Sequence, residues 1–152
     1  MPKTPPASLP TCIETKGIVE DPEVFTTLAF VTFDASGDRS FSFARKPGAD
    51  TQLRFDELDL SIIDETRVFH FGTLSLTDEP ARSTTYRAVE YAKAHGKLIT
   101  FDPNLRKPLW RDLADAKEQM LWGLDHADVV KISDEEVEFL FDLGAQDGAQ
   151  YI

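Results

Sequence analysis

From Val68 to Phe141 the chain alternates short apolar runs with longer amphipathic ones, and this rhythm constrains its fold more than any other feature. Val68-Phe69-His70-Phe71 reads as a buried strand ended by Gly72. Pro80 to His95 reads as a helix with Ala81, Thr85, Ala88, Val89 and Ala92 on one face and Gly96 as its terminator. Lys97 to Phe101 is the next strand, and Asp112 to Leu124 a second helix striped by Leu113, Ala116, Met120, Leu121 and Leu124. Val129-Val130-Lys131-Ile132 predicts a third strand and Asp134 to Phe141 a third helix. Strands and helices in alternation are joined by right-handed crossovers, so the expected class is α/β on a parallel sheet.

Ahead of this core the pattern differs. Residues 1–18 read as a disordered or unrelated leader, with Pro2, Pro5, Pro6 and Pro10 removing donors and disfavouring helix. Residues 19–54 form a β-hairpin segment, whose phenylalanines either pack on the main body or cover something. In it Thr26 to Phe33 and Arg39 to Phe43 read as two strands joined by the turn Asp34-Ala35-Ser36-Gly37-Asp38. The alternation in Arg39-Ser40-Phe41-Ser42-Phe43 gives the hairpin one aromatic face. Residues 55–152 form the α/β core, opening on a short helical stretch near Asp56 to Ile63.

Composition excludes several functions. A net charge of −11 opposes binding to nucleic acid, whose affinity comes from Lys and Arg neutralising phosphates, and equally to an anionic membrane. Cys12 is the single cysteine, which excludes an intrachain disulfide and a cysteine-based metal site. No apolar run reaches the roughly 18 residues of a spanning helix, and the start of the chain lacks a signal peptide's apolar stretch. A reducing cytoplasm is the default expectation.

In parallel α/β folds ligands bind past the carboxyl ends of the strands. Three such ends carry polar residues: Gly72-Thr73-Leu74-Ser75, Asp102-Pro103-Asn104-Leu105-Arg106 and Ser133-Asp134-Glu135-Glu136. Neighbouring strands lie about 5 Å apart, so the three ends can line one cleft. Ser133 and Glu136 carry two compatible readings, a helix capping box and a role near a metal or phosphate. The basic pairs Arg45-Lys46 and Arg106-Lys107 suit either solvated surface or an anionic ligand. His70 falls inside an apolar strand and reads as a core histidine; His95 and His126 add no metal-ligand spacing. Trp110 and Trp122 read as packing residues. Neither a dinucleotide fingerprint nor a P-loop is present, and no nucleophile elbow.

Four segments occur here in the order found in bacterial fructokinases of the PfkB (ribokinase-like) family. They are Phe41 to Asp50, Phe69 to Leu76, Asp102 to Arg106 and Lys131 to Glu136, and the similarity runs from about Val19 to Phe141. The resemblance implies a partial ribokinase-like fold and ATP-dependent phosphorylation of a sugar hydroxyl with Mg²⁺. It implies that the hairpin is a lid over the sugar and a contact in a homodimer. Phe43, Arg45, Asn104 and Arg106 would meet the sugar. Asn104, Arg106, Lys131, Ser133 and Glu136 would lie near nucleotide or phosphate, with Glu136 an indirect metal contact. Such chemistry fits phosphoryl transfer, which needs positioning and charge neutralisation more than covalent help. Ala44 stands where relatives usually carry Tyr, which leaves 2-keto-3-deoxygluconate or a nucleoside open as substrate. The family's amino-terminal Gly-Glu strand and its Gly-Ala-Gly-Asp segment, with the catalytic base, have no match here. Gly144-Ala145-Gln146-Asp147 lacks the second glycine and is no substitute. The expectation is therefore a central piece of a kinase with negligible turnover alone, marginal stability or a need to assemble. The other reading is a non-catalytic binding or dimerisation module.

Overall fold

The hairpin's turn is locally determined. The Asp34 carboxylate accepts hydrogen bonds from the backbone N–H groups of Ser36 and Asp38, an Asx-type turn that reverses the chain. Strands β1 (Leu28–Phe33) and β2 (Arg39–Ala44) then pair antiparallel, with Val31 opposite Phe41 and Ala29 opposite Phe43. Directly paired residues share a face, so Val31, Phe41 and Phe43 lie on one side, as the alternation requires. The Phe41 and Phe43 rings stack with centroids 6.3 Å apart. The computed structural model describes residues 15–148, 150 and 151.

Between hairpin and core the expected helix near Asp56 to Ile63 is broken in two. A 3₁₀ turn at Phe55–Glu57 is closed by the Glu57 carboxylate on the Arg54 amide, and α1 follows at Ser61–Glu65. The extended backbone at Leu58 (ψ 132°) separates them. Most of the expected leader lies outside the described residues. Its last residues touch the core, where Lys16 pairs with Glu65 at 2.8 Å.

The remaining chain is a three-stranded parallel sheet in the order β3-β4-β5. It comprises β3 (Val68–Gly72), β4 (Leu98–Asp102) and β5 (Val129–Val130). Crossovers α2 (Ala81–Ala94) and α3 (Leu113–His126) pack on the sheet, and α4 (Asp134–Phe141) follows β5. Ile99, Phe71 and Phe101 point into the core with Val89, Ala92 and Ala116 from the helices. The Phe71 and Phe101 rings stack at 4.7 Å, and Trp122 meets Phe71 edge-on at 5.7 Å. Trp110 is buried as well, so both tryptophans pack as expected.

Four sequence readings are corrected. The strand at Val68 is buried on one face only: Val68, Leu98 and Val129 are exposed on the side away from α2 and α3. His70 lies on that exposed side rather than in the core, its Nδ1 2.9 Å from Thr100 Oγ1. The third strand is two residues long, although the Lys131 amide still donates to Phe101 O at 2.9 Å. The α3 stripe is rotated: Leu113 and Leu121 are exposed, and Gln119 and Gly123 face inward beside Ala116 and Met120. The cause is Phe101, whose ring occupies the space that a Cβ at position 123 would need.

Candidate active site

The three polar strand ends meet. β3 and β4 end together because Gly72 pairs with Asp102, and a Cβ on Gly72 would stand 2.7 Å from Asp102 O. Thr73 then fastens the two loops: its amide and its hydroxyl both donate to Pro103 O, at 3.2 and 2.5 Å. Past Pro103 the backbone turns through Asn104, which sits in the left-handed region at φ 46°. Asparagine tolerates that region better than most residues, so the position has a conformational reason for its amide. Asn104, Asp102, Gly72 and Thr73 line one cavity of about 360 Å³.

On the other side the loop is tied to α4. Ser133 caps the helix, accepting from the Glu136 amide, and the Glu136 Oε2 accepts from the Ser133 amide at 2.9 Å. The capping-box reading of this pair is therefore correct. The second carboxylate oxygen has another partner: Glu136 Oε1 accepts from the Leu105 amide at 2.7 Å. Glu136 is 8% exposed, so this charge is buried and held by backbone donors from two segments. The contact joins residues 31 apart in sequence, and no local spacing announces it.

Arg106 behaves oppositely. Among the described residues its guanidinium has no hydrogen-bond or ion-pair partner and rests 5.0 Å above the Phe41 ring of the hairpin. It lines a groove of about 350 Å³ with Phe41, Phe43, Ser133, Glu135 and Glu136. Thus Phe43, Arg106, Ser133 and Glu136 come together, and Asn104 lines the adjoining cavity. A cation over an aromatic face, with its donors uncommitted, is equipped to bind an oxyanion.

Lys131 and Arg45 stand differently. Lys131 Nζ lies 3.2 Å from Asp102 Oδ2 and is well exposed. The Asp102 Oδ1 atom is buried without a hydrogen-bond partner among the described residues. Such an acceptor is costly unless a donor reaches it. Arg45 is 7% exposed and its guanidinium is fully engaged. Its Nε donates to Asp50 Oδ2 at 2.7 Å, Nη1 to Thr77 Oγ1 at 2.7 Å and Nη2 to Leu74 O at 2.6 Å. It therefore anchors the base of β2 to the segment following β3, and it lines a second groove with Phe41 and Phe43. Burial pushes the Asp50 carboxyl up, but hydrogen bonds from Arg45 and Thr27 outweigh this and hold it below its ordinary value of 3.8.

Among the described residues no group of three or more His, Cys, Asp or Glu side chains could hold a metal ion. Nor is any of their helices long and apolar enough to cross a membrane.

The chain is similar to known proteins. Residues 11–150 match the family described as pfkB family carbohydrate kinase. A probable fructokinase-2 of Arabidopsis thaliana is 47% identical over 128 residues, covering 84% of this chain and 39% of that protein. The crystal structure of a fructokinase from Xylella fastidiosa with bound ATP superposes with a TM-score of 0.75 at 33% identity, over 91% of this chain and 44% of that one. A fructokinase from Vibrio cholerae, solved with fructose, ADP and calcium ion, does so with a TM-score of 0.69 at 30% identity, over 80% and 40%. This chain thus spans about two fifths of the length of the relatives it matches. With the ribokinase-like architecture and the ordered motifs both present, the chain belongs to the pfkB family of carbohydrate kinases.

Proposed function

We propose that this chain supplies the lid and one wall of the substrate cleft of a kinase that phosphorylates a hydroxyl of fructose from ATP. The observation that carries the reading is the groove under the hairpin, where Arg106 has no hydrogen-bond or ion-pair partner among the described residues and faces Phe43, Ser133 and Glu136. The support from relatives is that the matched proteins are fructokinases, two of them solved with nucleotide.

In this reading Phe43 and Phe41 give the sugar an apolar wall, and the exposed Asn104 offers hydrogen-bonding groups to its hydroxyls. Arg106 neutralises charge on the phosphoryl group in transit. Lys131 and Ser133 lie on the nucleotide side, and Arg45 keeps the hairpin seated over the cleft. Magnesium would enter with the nucleotide, shielding its phosphate charge. Both Glu136 carboxylate oxygens already accept backbone N–H groups, so the chain itself holds this carboxylate in place beside the nucleotide. A cytoplasmic setting accords with a sequence whose single cysteine is Cys12.

The Gly-Ala-Gly-Asp segment, to which the resemblance assigns the catalytic aspartate, has no match in the sequence. We therefore expect this chain alone to bind fructose or a phosphorylated hexose and to turn over negligibly. An ATP-coupled assay with fructose measures this. Turnover near the enzyme median of about 10 per second would show that the chain contains its own base. Absence of binding to sugar and nucleotide alike, in a folded protein, would favour a purely structural module.

A further inference from the structure

We propose that Glu136 is a positioning residue: it clamps the Asp102–Arg106 loop to α4 through the Leu105 amide, and so aims Arg106 into the groove. The inference rests on the kinase reading above and assigns a different task to a carboxylate that the family resemblance places near a metal.

Three observations converge. The Glu136 carboxylate is buried, and its two oxygens accept from different segments, Leu105 N at 2.7 Å and Ser133 N at 2.9 Å. A carboxylate so engaged bridges two chain segments rigidly, since charge-assisted bonds to backbone donors are the strong ones. The segment it grips sits between Asn104, in its left-handed conformation, and Arg106. Such a backbone conformation persists only where its surroundings over-determine it. Finally, Arg106 lacks any polar partner of its own among the described residues, so its direction is set by the backbone and by the Phe41 ring. Thr73 fixes the loop's start through Pro103 O, and Glu136 fixes its end.

The variant Glu136→Gln discriminates. Its amide keeps one acceptor oxygen but turns a donor toward the second backbone N–H, so one of the two bonds is lost. The probe is fructose 6-phosphate, which combines sugar hydroxyls with an oxyanion, followed by NMR titration with and without Mg²⁺. Val137→Ala, in the neighbouring buried position facing the core, controls for lost helix stability. Glu136→Gln should weaken binding about tenfold regardless of Mg²⁺, with the Leu105 amide resonance displaced. Val137→Ala should leave the dissociation constant within about twofold. Arg106→Ala should cost about tenfold in the wild-type background and less than about threefold on top of Glu136→Gln, because an unaimed arginine has little left to lose.

A full additive loss, unchanged binding, or a loss seen only with Mg²⁺ would each overturn the positioning role; the last would restore a metal contact. Rapid exchange of the wild-type Leu105 amide would overturn it without any variant. Failure of the wild type to bind the probe would overturn the kinase reading and this role together, whereas wild-type binding that survives Glu136→Gln would overturn this role alone.

Discussion

Arg45 shows how a residue's chemistry and its position in sequence can point to different tasks. A basic residue at the end of a lid strand invites assignment to the substrate, yet its donors reach Asp50, Thr77 and Leu74, which are 5, 32 and 29 residues away. Two of these partners come from the far side of the β3 loop, a contact that only the folded chain creates. The bond to Asp50 makes the hairpin's seating pH-dependent. The Asp50 carboxyl is depressed in the folded state, so its contribution is complete above its ordinary value of 3.8 and lost as pH falls through the lower folded value. Below about pH 4 the hairpin base should therefore loosen before the β3–β5 sheet does. Amide exchange reads this directly, because the Ala49 amide bonds to Phe25 O at the hairpin base while the Lys131 amide, next to β5, donates to the Phe101 carbonyl of β4. Asp50→Asn should accelerate exchange at Ala49 already at neutral pH and flatten the acid dependence. Equal acid sensitivity in wild type and variant would mean that Asp50 does not hold the hairpin.

Elements were legible in the sequence where their signals are local. The Ser-x-x-Glu box gave α4 its start, and its observed span, Asp134–Phe141, is the one expected. The hairpin followed from its Asp34–Asp38 turn and its polar–aromatic alternation. In α3 the stripe is legible at Ala116, Met120 and Leu124, but not at Leu113 and Leu121, which are exposed, nor at Gly123, whose place inside is set by Phe101 on another element. The same ring makes a prediction. Gly123→Ala places a methyl group where the Phe101 ring lies, in a core whose neighbours Phe71, Trp122 and Ala116 leave little room. Overpacking of this kind costs about 1–3 kcal/mol. Denaturant unfolding should show the midpoint falling with an unchanged slope. A wild-type midpoint would mean that α3 shifts freely, and with it the Trp122 contact on Phe71.

At the scale of the molecule, what remains exposed is as informative as what is buried. A two-stranded hairpin is marginal by itself, and here one strand is uncovered along its length: Leu28 is 50%, Phe30 57% and Phe33 68% exposed. Because Val31 pairs with Phe41 and Ala29 with Phe43, the aromatic wall of the groove and the Leu28–Phe30 surface lie on opposite faces. The inner face lines the groove of the proposed sugar site, while the outer one offers apolar area and strand edges to another hairpin. A second copy of the chain would bring the same apolar strand to that surface, and a two-fold contact needs no other partner. The prediction is a homodimer through β1 and β2. Light scattering after size exclusion should give twice the 17.1 kDa chain mass for the wild type and the single mass for Phe30→Asp. Because Phe30 points away from Phe41 and Phe43, the monomeric variant should keep whatever sugar affinity the wild type has, apart from the help a partner gives in holding the lid closed. A wild type that stays monomeric at high micromolar concentration would remove the dimer and leave the hairpin's outer face to a different partner.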